Sequence, residues 1–277
     1  MAQLLLRPAR AWIPLLALVL ALGLMGGCSG DDSTIGPGPG GTVGPIGPVG
    51  PTGEADGISG SGTITVETRI DKRDVAIFNE IVFRSEGTVI VTTGPTASLA
   101  IETDDNLHQY LEVTLTGTTL EISTADDTDI APTDPPVYRI DLPGLRSVEL
   151  AGAGTITIDS VTTDRLEVAL TGAGDITIGT VSLDELLVDL SGVGTLTVDG
   201  VTDRQEVRIA GVTTYEASSL ESRTATVEAA GSSDATLWVS ETVDVTAADT
   251  AVVGYYGTPA LTQSISDLGV VTALGEK

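Results

Sequence analysis

The sequence predicts an all-β protein built around a right-handed parallel β-solenoid of about six 20-residue turns, preceded by an N-terminal β-layer. Three observations carry this. Val-Glu-Leu-Ala-Gly-Ala-Gly at 148–154 recurs as Val-Ala-Leu-Thr-Gly-Ala-Gly at 168–174 and as Val-Asp-Leu-Ser-Gly-Val-Gly at 188–194. Fainter copies follow at 207–213, 227–233 and 243–249, so the first Gly of each unit or its equivalent falls at 152, 172, 192, 211, 231 and 247. After Gly62, Val and Thr alternate almost without a break and no stretch keeps a helical period, as expected for β-branched residues on a pleated surface.

Residues 1–27 read as a lipoprotein signal peptide. Arg7 and Arg10 precede an apolar run from Ala11 to Met25, which ends in small residues. Leu24-Met25-Gly26-Gly27-Cys28 resembles a bacterial lipobox, which implies acylation of Cys28, the chain's one cysteine. Ser29, standing where Asp would signal retention in the inner membrane, implies sorting to the outer membrane. The expected location is therefore the bacterial cell envelope, held by acyl chains.

Residues 28–62 carry the lipidated Cys and a Gly/Pro-rich linker. Three consecutive Gly-Pro-X triplets, at 44–52, are too few for a collagen stalk, and the segment reads as a semi-rigid spacer. Residues 63–277 form the β domain, divided into the N-terminal layer at 63–141, the repeats at 142–259 and a C-terminal cap at 260–277. The layer carries Phe78, Phe83, Tyr110 and Tyr138, and covers an end that would otherwise expose an open sheet edge.

A repeat of about 20 residues cannot bury its own apolar side, so successive turns must stack. Stacking aligns Val148, Val168, Val188, Val207, Val227 and Val243 in one interior column. Leu150, Leu170, Leu190, Ile209, Ala229 and Val245 form a second, with Ile156, Ile176 and Leu196 in a third beside Ile158, Ile178 and Val198. Gly152, Gly154, Gly172, Gly174, Gly192, Gly194, Gly211 and Gly231 are the structural glycines of the bends, expected to supply positive φ where the chain turns.

These features together resemble the putative auto-transporter adhesin, head GIN domain family. The matching residues are Val75, Phe78 and Ile81, the segments Asp104-Asp105-Asn106-Leu107 and Leu120-Glu121-Ile122, Pro143 and Leu145, the Gly-Ala-Gly units and a terminal Tyr256-Gly257-Thr258-Pro259. The resemblance implies a solenoidal domain on an exported, often lipid-anchored bacterial protein, with no catalytic residues.

Composition narrows the function. Thirty-nine acidic against thirteen basic side chains give a net charge of −26, which excludes a nucleic-acid partner because no basic face can displace counterions. One Cys excludes an internal disulfide or a Cys-based zinc site. His108, the sole histidine, lies near Asp104 and Asp105 and reads as a surface or strand-end residue, not as a base or ligand. Asp126-Asp127-Thr128-Asp129 lacks the Gly and distal Glu of an EF-hand loop, and Asp175 reads as a solvated bend. Stacking could cluster Asp159, Asp164, Asp175, Asp184, Asp189 and Asp199, but the repeats hold few aromatics to stack on a sugar.

The reading is a non-enzymatic envelope lipoprotein, with no cofactor and no metal, that presents a rigid acidic solenoid for adhesion or for binding to the envelope or to an unknown protein or glycan partner. A polysaccharide-cleaving β-helix enzyme and a regulatory protein binding another membrane protein are the alternatives.

Overall fold

The computed structural model describes residues 57–70, 78–126 and 128–277. Cys28, the Gly-Pro-X triplets, Val75 and Asp127 lie outside the described residues. The N-terminal part contains β1 (Ile58–Ser59), β2 (Ile64–Ile70), β3 (Glu80–Phe83), β4 (Glu86–Thr93), β5 (Ser98–Asp104) and a 3-10 turn at His108–Tyr110. It continues through β6 (Leu111–Thr116), β7 (Thr119–Thr124), β8 (Ile130–Ala131) and β9 (Val137–Leu142). The repeats supply β10 (Ser147–Leu150), β11 (Ala153–Leu170), β12 (Ala173–Leu190), β13 (Val193–Ile209), β14 (Val212–Ala229), β15 (Asp234–Ala247) and β16 (Val252–Tyr256). Last come β17 (Ala260–Ile265) and β18 (Val270–Gly275).

The coils stack in parallel as a β-solenoid of about six turns. Each of β11 to β14 is one coil that bends around the interior. In β11, residues 153–158 form face A, residues 160–165 face B and residues 166–170 face C. Neighbours pair residue for residue, with Ile156 opposite Ile176 and Val168 opposite Val188. Parallel pairing in consecutive coils places identical side chains one strand spacing apart, about 4.8 Å. Alternate residues then point into one continuous apolar interior, which is why the repeat is kept as Val, Leu and Ile.

The interior columns are longer than the repeat. On face A the column runs Tyr138, Val89, Ile156, Ile176, Leu196, Tyr215, Ala235, Val253, Val271. On face C it runs Leu120, Ile81, Val148, Val168, Val188, Val207, Val227, Val245. The N-terminal layer therefore shares the solenoid's core. Its coil order differs from its chain order: β3 and β4 stack between the later coil of β7 and β9 and the still later coil of β10 and β11. Antiparallel strands close this end, with β5 on β9, β2 on β5 and β6 on β7.

The structure corrects the last repeat. Val227 pairs with Val245 and Ala229 with Ala247, so Val243 stands opposite Ala225 and the bend residue is Asp249, not Ala247. The next coil repeats that step, with Ala247 opposite Ile265 and hence Asp267 above Asp249. Face B shrinks here: the register shifts between Ala217 and Glu221 and again between Ser222 and Thr224, which shortens the coil from about 20 residues to 18.

The bend glycines divide into two kinds, where the sequence suggested positive φ for all. Gly154, Gly174 and Gly194 have φ of 151°, 137° and 145°. Gly152, Gly172 and Gly192 have ordinary backbone, but an added Cβ would stand 2.0 Å from a carbonyl oxygen of the coil beneath, on Ser85, Gly152 and Gly172 respectively. Gly211 and Gly231 adopt the left-handed conformation, at 75° and 73°. Asp249 and Asp267 inherit it at 55° and 54°, a conformation that Asp tolerates better than most residues. The Asp249 carboxylate accepts a hydrogen bond from Gly231 N at 2.9 Å, tying the bend to the coil below.

The shortened coils also hold a buried polar network. Tyr215 and Gln205 are 0% exposed and occupy positions held by Leu196 and Leu186 in the preceding coil and by Ala235 and Ala225 in the following one. The Tyr215 hydroxyl donates to Gln205 Oε1 at 3.0 Å, Gln205 Nε2 donates to Ser222 Oγ at 2.7 Å, and Ser222 Oγ donates to the Trp238 carbonyl at 2.9 Å. That carbonyl sits where face B is cut short. The network thus ties a backbone carbonyl at the register shift to side chains of the two preceding coils. Burial pushes the Tyr215 hydroxyl pKa far above its ordinary value, so it remains a donor.

Candidate functional site

The outward residues of face C and its corner with face B form the most organised surface of the described residues. Stacking aligns Arg165, Glu185 and Arg204 in one column, Glu167 and Glu206 in a second, and Asp189, Arg208 and Glu228 in a third. The columns join into a chain of ion pairs. Arg165 meets Glu167 at 2.8 Å and Glu185 at 2.7 Å, Arg204 meets Glu185 at 4.0 Å and Glu206 at 3.1 Å, and Arg208 meets Glu206 at 2.6 Å and Glu228 at 3.3 Å. The hydrogen bonds that Arg165 donates to the Glu167 carboxylate lead the causes that hold its guanidinium above its ordinary pKa. Exposed pairs of this kind each contribute well under about 1 kcal/mol, so their larger consequence is order: they fix long side chains on a flat face.

Beside them runs an acidic edge. The register places Asp164 next to Asp184 and Asp184 next to Asp203, all three exposed. Arg223, on the following coil, reaches Asp203 at 3.9 Å and pairs more closely with Glu241 at 2.9 Å. Three like charges about 4.8 Å apart repel, and they concentrate negative potential along the corner.

The other aspartates fall elsewhere. Asp159 and Asp199 lie at the corner of faces A and B, with Gly179 between them. Asp175 is on face A, where it accepts a hydrogen bond from Thr195 N at 3.0 Å, and Asp189 is on face C. The six carboxylates therefore do not converge. Among the described residues no group of three His, Cys, Asp or Glu side chains is arranged to hold a metal ion.

His108 differs from its sequence reading, for it is only 8% exposed. Nε2 lies 3.0 Å from Thr65 Oγ1, and Nδ1 lies 3.4 Å from Glu67 Oε2. Arg69 donates to the His108 carbonyl and pairs with Glu67 at 2.8 Å. Asp104 points away from His108. Its buried carboxylate accepts from Thr133 N at 2.8 Å, Gly62 N at 2.7 Å and Thr133 Oγ1 at 3.0 Å. Asp105 accepts from Ser61 Oγ at 2.5 Å. These residues fasten β2 and the loop after β8 to the end of β5, and they do not form a catalytic pair.

The Thr133 amide, opposed by burial and helped by Gly62 N, holds the Asp104 carboxyl below its usual pKa. A lowered folded-state pKa contributes stability that is present above the unfolded value and lost as pH falls through the folded one. The expected result is that Asp104→Asn lowers the melting temperature at pH 7, and that the loss shrinks as pH falls below the ordinary carboxylate range. Thermal melts of both chains across pH 2–7 read this; a pH-independent difference would refute the role assigned to its charge.

Sequence reasoning missed the ion-pair chain. Its signal was present, since Arg165-Leu166-Glu167 and Arg204-Gln205-Glu206-Val207-Arg208 put opposite charges on the same side of a strand at positions that the repeat brings together.

The profile of the family described as putative auto-transporter adhesin, head GIN domain matches residues 77–259. No curated protein matches the chain. Among solved structures, a putative adhesin (BF0245) from Bacteroides fragilis aligns at 23% identity with a TM-score of 0.72, covering 79% of this chain and 100% of that one. A putative adhesin from Parabacteroides merdae aligns at 17% identity and a TM-score of 0.61, covering 79% of this chain and 100% of that one. A putative lipid binding protein from Parabacteroides distasonis aligns at 20% identity and 0.62, covering 78% and 99%. These likenesses establish the fold. With about two thirds of its length matched, the chain belongs to the putative auto-transporter adhesin, head GIN domain family.

Proposed function

We propose that the chain is a non-enzymatic adhesion protein of the bacterial cell envelope, anchored in the outer membrane through acylated Cys28 and held off the surface by the Gly/Pro-rich segment. The solenoid is the display element. The observation that carries the reading is the acidic edge of Asp164, Asp184 and Asp203 beside an ion-paired flat face, built on coils whose register is fixed by their interior. Such an edge attracts a basic patch on a protein or a cationic glycan, and electrostatic complementarity of this kind raises association rates and sets register. The family's description as an adhesin agrees with this.

Glycoside cleavage would need two carboxylates on either side of a held sugar. Asp164 and Asp184 are neighbours, but they share one open corner, and the other aspartates stand on different faces.

The test immobilises the full chain and screens protein and glycan partners for retention and for product release. Retention without turnover is expected. Sustained release of product that is lost in Asp184→Asn would overturn the non-enzymatic reading. In cells, palmitate labelling and membrane fractionation are expected to be lost together in Cys28→Ala; labelling that persists would overturn the anchor.

A further inference from the structure

The corner between faces A and B changes character in the last coils. Asp159, Gly179 and Asp199 hold it in the early ones, and Ser218 follows Ala217 into the register shift of β14. In the next two coils the corner turns aromatic. Trp238 and Tyr256 stand opposite each other in the ladder between β15 and β16, so their side chains leave strands about 4.8 Å apart. Both point outward, because the flanking Leu237, Val239 and Tyr255 are buried in the interior, and both are half-buried at the surface. Tyr215 and Tyr255, the other aromatics of these coils, face the core.

An ammonium group occupies this aromatic pair. Lys277 lies two residues past β18, and its Nζ sits 5.3 Å from the ring centre of Trp238 and 5.3 Å from that of Tyr256 while donating to the Ser218 carbonyl. The register shift between Tyr255 and Tyr256 skips Leu274, which packs over Gly254, where an added Cβ would stand 2.9 Å from Leu274 Cδ1. Gly275, at φ 106°, then turns the chain back across the coils. The ring faces attract a cation, and the carbonyl takes one of the three N–H donors of an ammonium. Glu221, opposite Trp238 in the ladder, adds negative potential. Ser218, Trp238 and Tyr256 belong to three consecutive coils, so stacking fixes their positions. Glu276 and Lys277 are exposed and follow the last ladder pair.

We propose that Ser218, Trp238 and Tyr256 form a binding site for a lysine side chain of a basic protein partner, a site that Lys277 fills in the free chain. Three observations select this ligand. Two ring faces favour a cation, the carbonyl requires an N–H and so a primary ammonium, and the side chain already seated there is a lysine. The receiving groups are held by the solenoid while the occupant hangs beyond it, so an external lysine exchanges with Lys277 without disturbing the coils. Lys277 is then an internal competitor, and a partner must out-compete it to bind. The net charge of −26 favours a basic partner. The site stands at a different corner from the acidic edge of Asp164, Asp184 and Asp203, and is a second point of contact independent of it.

The test follows the Trp238 indole N–H resonance of the full chain in detergent, assigned by its loss in Trp238→Leu. In a Lys277→Gln chain, Nα-acetyl-lysine amide at constant ionic strength is expected to shift that resonance saturably. It is expected to bind at least ~5-fold more tightly than to the unsubstituted chain, because the tethered competitor is gone. The neutral Nε-acetyl analogue is expected to leave the resonance unmoved. The Nε-trimethyl analogue, which cannot donate to Ser218, is expected to bind at least ~3-fold more weakly than the free lysine. Tyr256→Leu in the Lys277→Gln background removes one ring and is expected to weaken binding by at least ~3-fold. The comparison of probes is made on one chain, so it stands even where Tyr256→Leu loses stability. Binding is expected to be unchanged when Asp164, Asp184 and Asp203 are replaced by Asn, which separates a failure here from a failure of the acidic edge. A resonance that stays unmoved in Lys277→Gln overturns the proposal and leaves Lys277 an intramolecular clasp only. Equal binding of the free and Nε-acetylated probes overturns the ammonium assignment. A shift caused by phosphatidylethanolamine vesicles and not by the lysine probe overturns the choice of a protein partner.

Discussion

Gly174→Ala is expected to destabilise the protein by roughly 3–5 kcal/mol, among the largest effects of any single methyl group on this chain. Two independent penalties coincide there. The residue has φ 137°, a region that an L side chain rarely adopts, and the new Cβ would stand 1.8 Å from the carbonyl oxygen of Gly154 in the coil beneath. That oxygen is backbone and cannot swing aside. Relief would require the coils to separate at the bend, which breaks ladder hydrogen bonds on both sides. Gly144→Ala provides the control, because an added Cβ there meets nothing within 4 Å, and the expected change is below about 0.5 kcal/mol. Chemical denaturation of the two variants beside the unsubstituted chain measures both. Equal, small losses would mean that the coils are not stacked carbonyl over glycine.

Tyr215 gives the second large effect, and two substitutions divide it. Tyr215→Ala empties a fully buried aromatic position and should cost about 3–5 kcal/mol through lost contacts and a cavity. Tyr215→Phe keeps the ring and deletes only the hydroxyl that donates to Gln205 Oε1, leaving that oxygen buried without a partner, which should cost about 1–3 kcal/mol. The Phe variant tests the network itself. A neutral result would mean that the polar group at this position is dispensable to a core otherwise built of Val, Leu and Ile.

These two positions mark where the sequence could and could not be read. Side-chain identity repeated every 20 residues made the columns through Val148, Val168, Val188, Val207 and Val227 legible, because only stacking explains why the same residue returns to the same place. The column failed at its next member because the bend changed chemistry: Asp249 took over a left-handed position from Gly231, and the two-residue contraction of face B had no signature besides polar residues at Gln205 and Ser222. The N-terminal layer was legible as strands, yet its coil order was not. β3 and β4 pair with strands more than 30 residues away on either side, and no periodicity encodes that. Of the surface, the aspartates were visible but their dispersal was not. Asp164 and Asp184 meet because both sit one residue before the ion-paired column, while Asp175 and Asp189 fall on other faces of the same coil.

The same reasoning concentrates the functional claim on one edge. If the acidic corner is the contact surface, neutralising it should leave folding intact, since all three carboxylates are exposed and contribute little to stability, and should remove the charge that a basic partner reads. The most direct measurement is the retention of a partner on the immobilised full chain as a function of salt, comparing the unsubstituted protein with the Asp164→Asn, Asp184→Asn, Asp203→Asn triple variant. The account predicts that retention falls steeply with NaCl for the unsubstituted chain, and that the variant binds at least ~10-fold more weakly with a shallower salt slope and an unchanged melting temperature. Equal binding by the two chains at every salt concentration would contradict it.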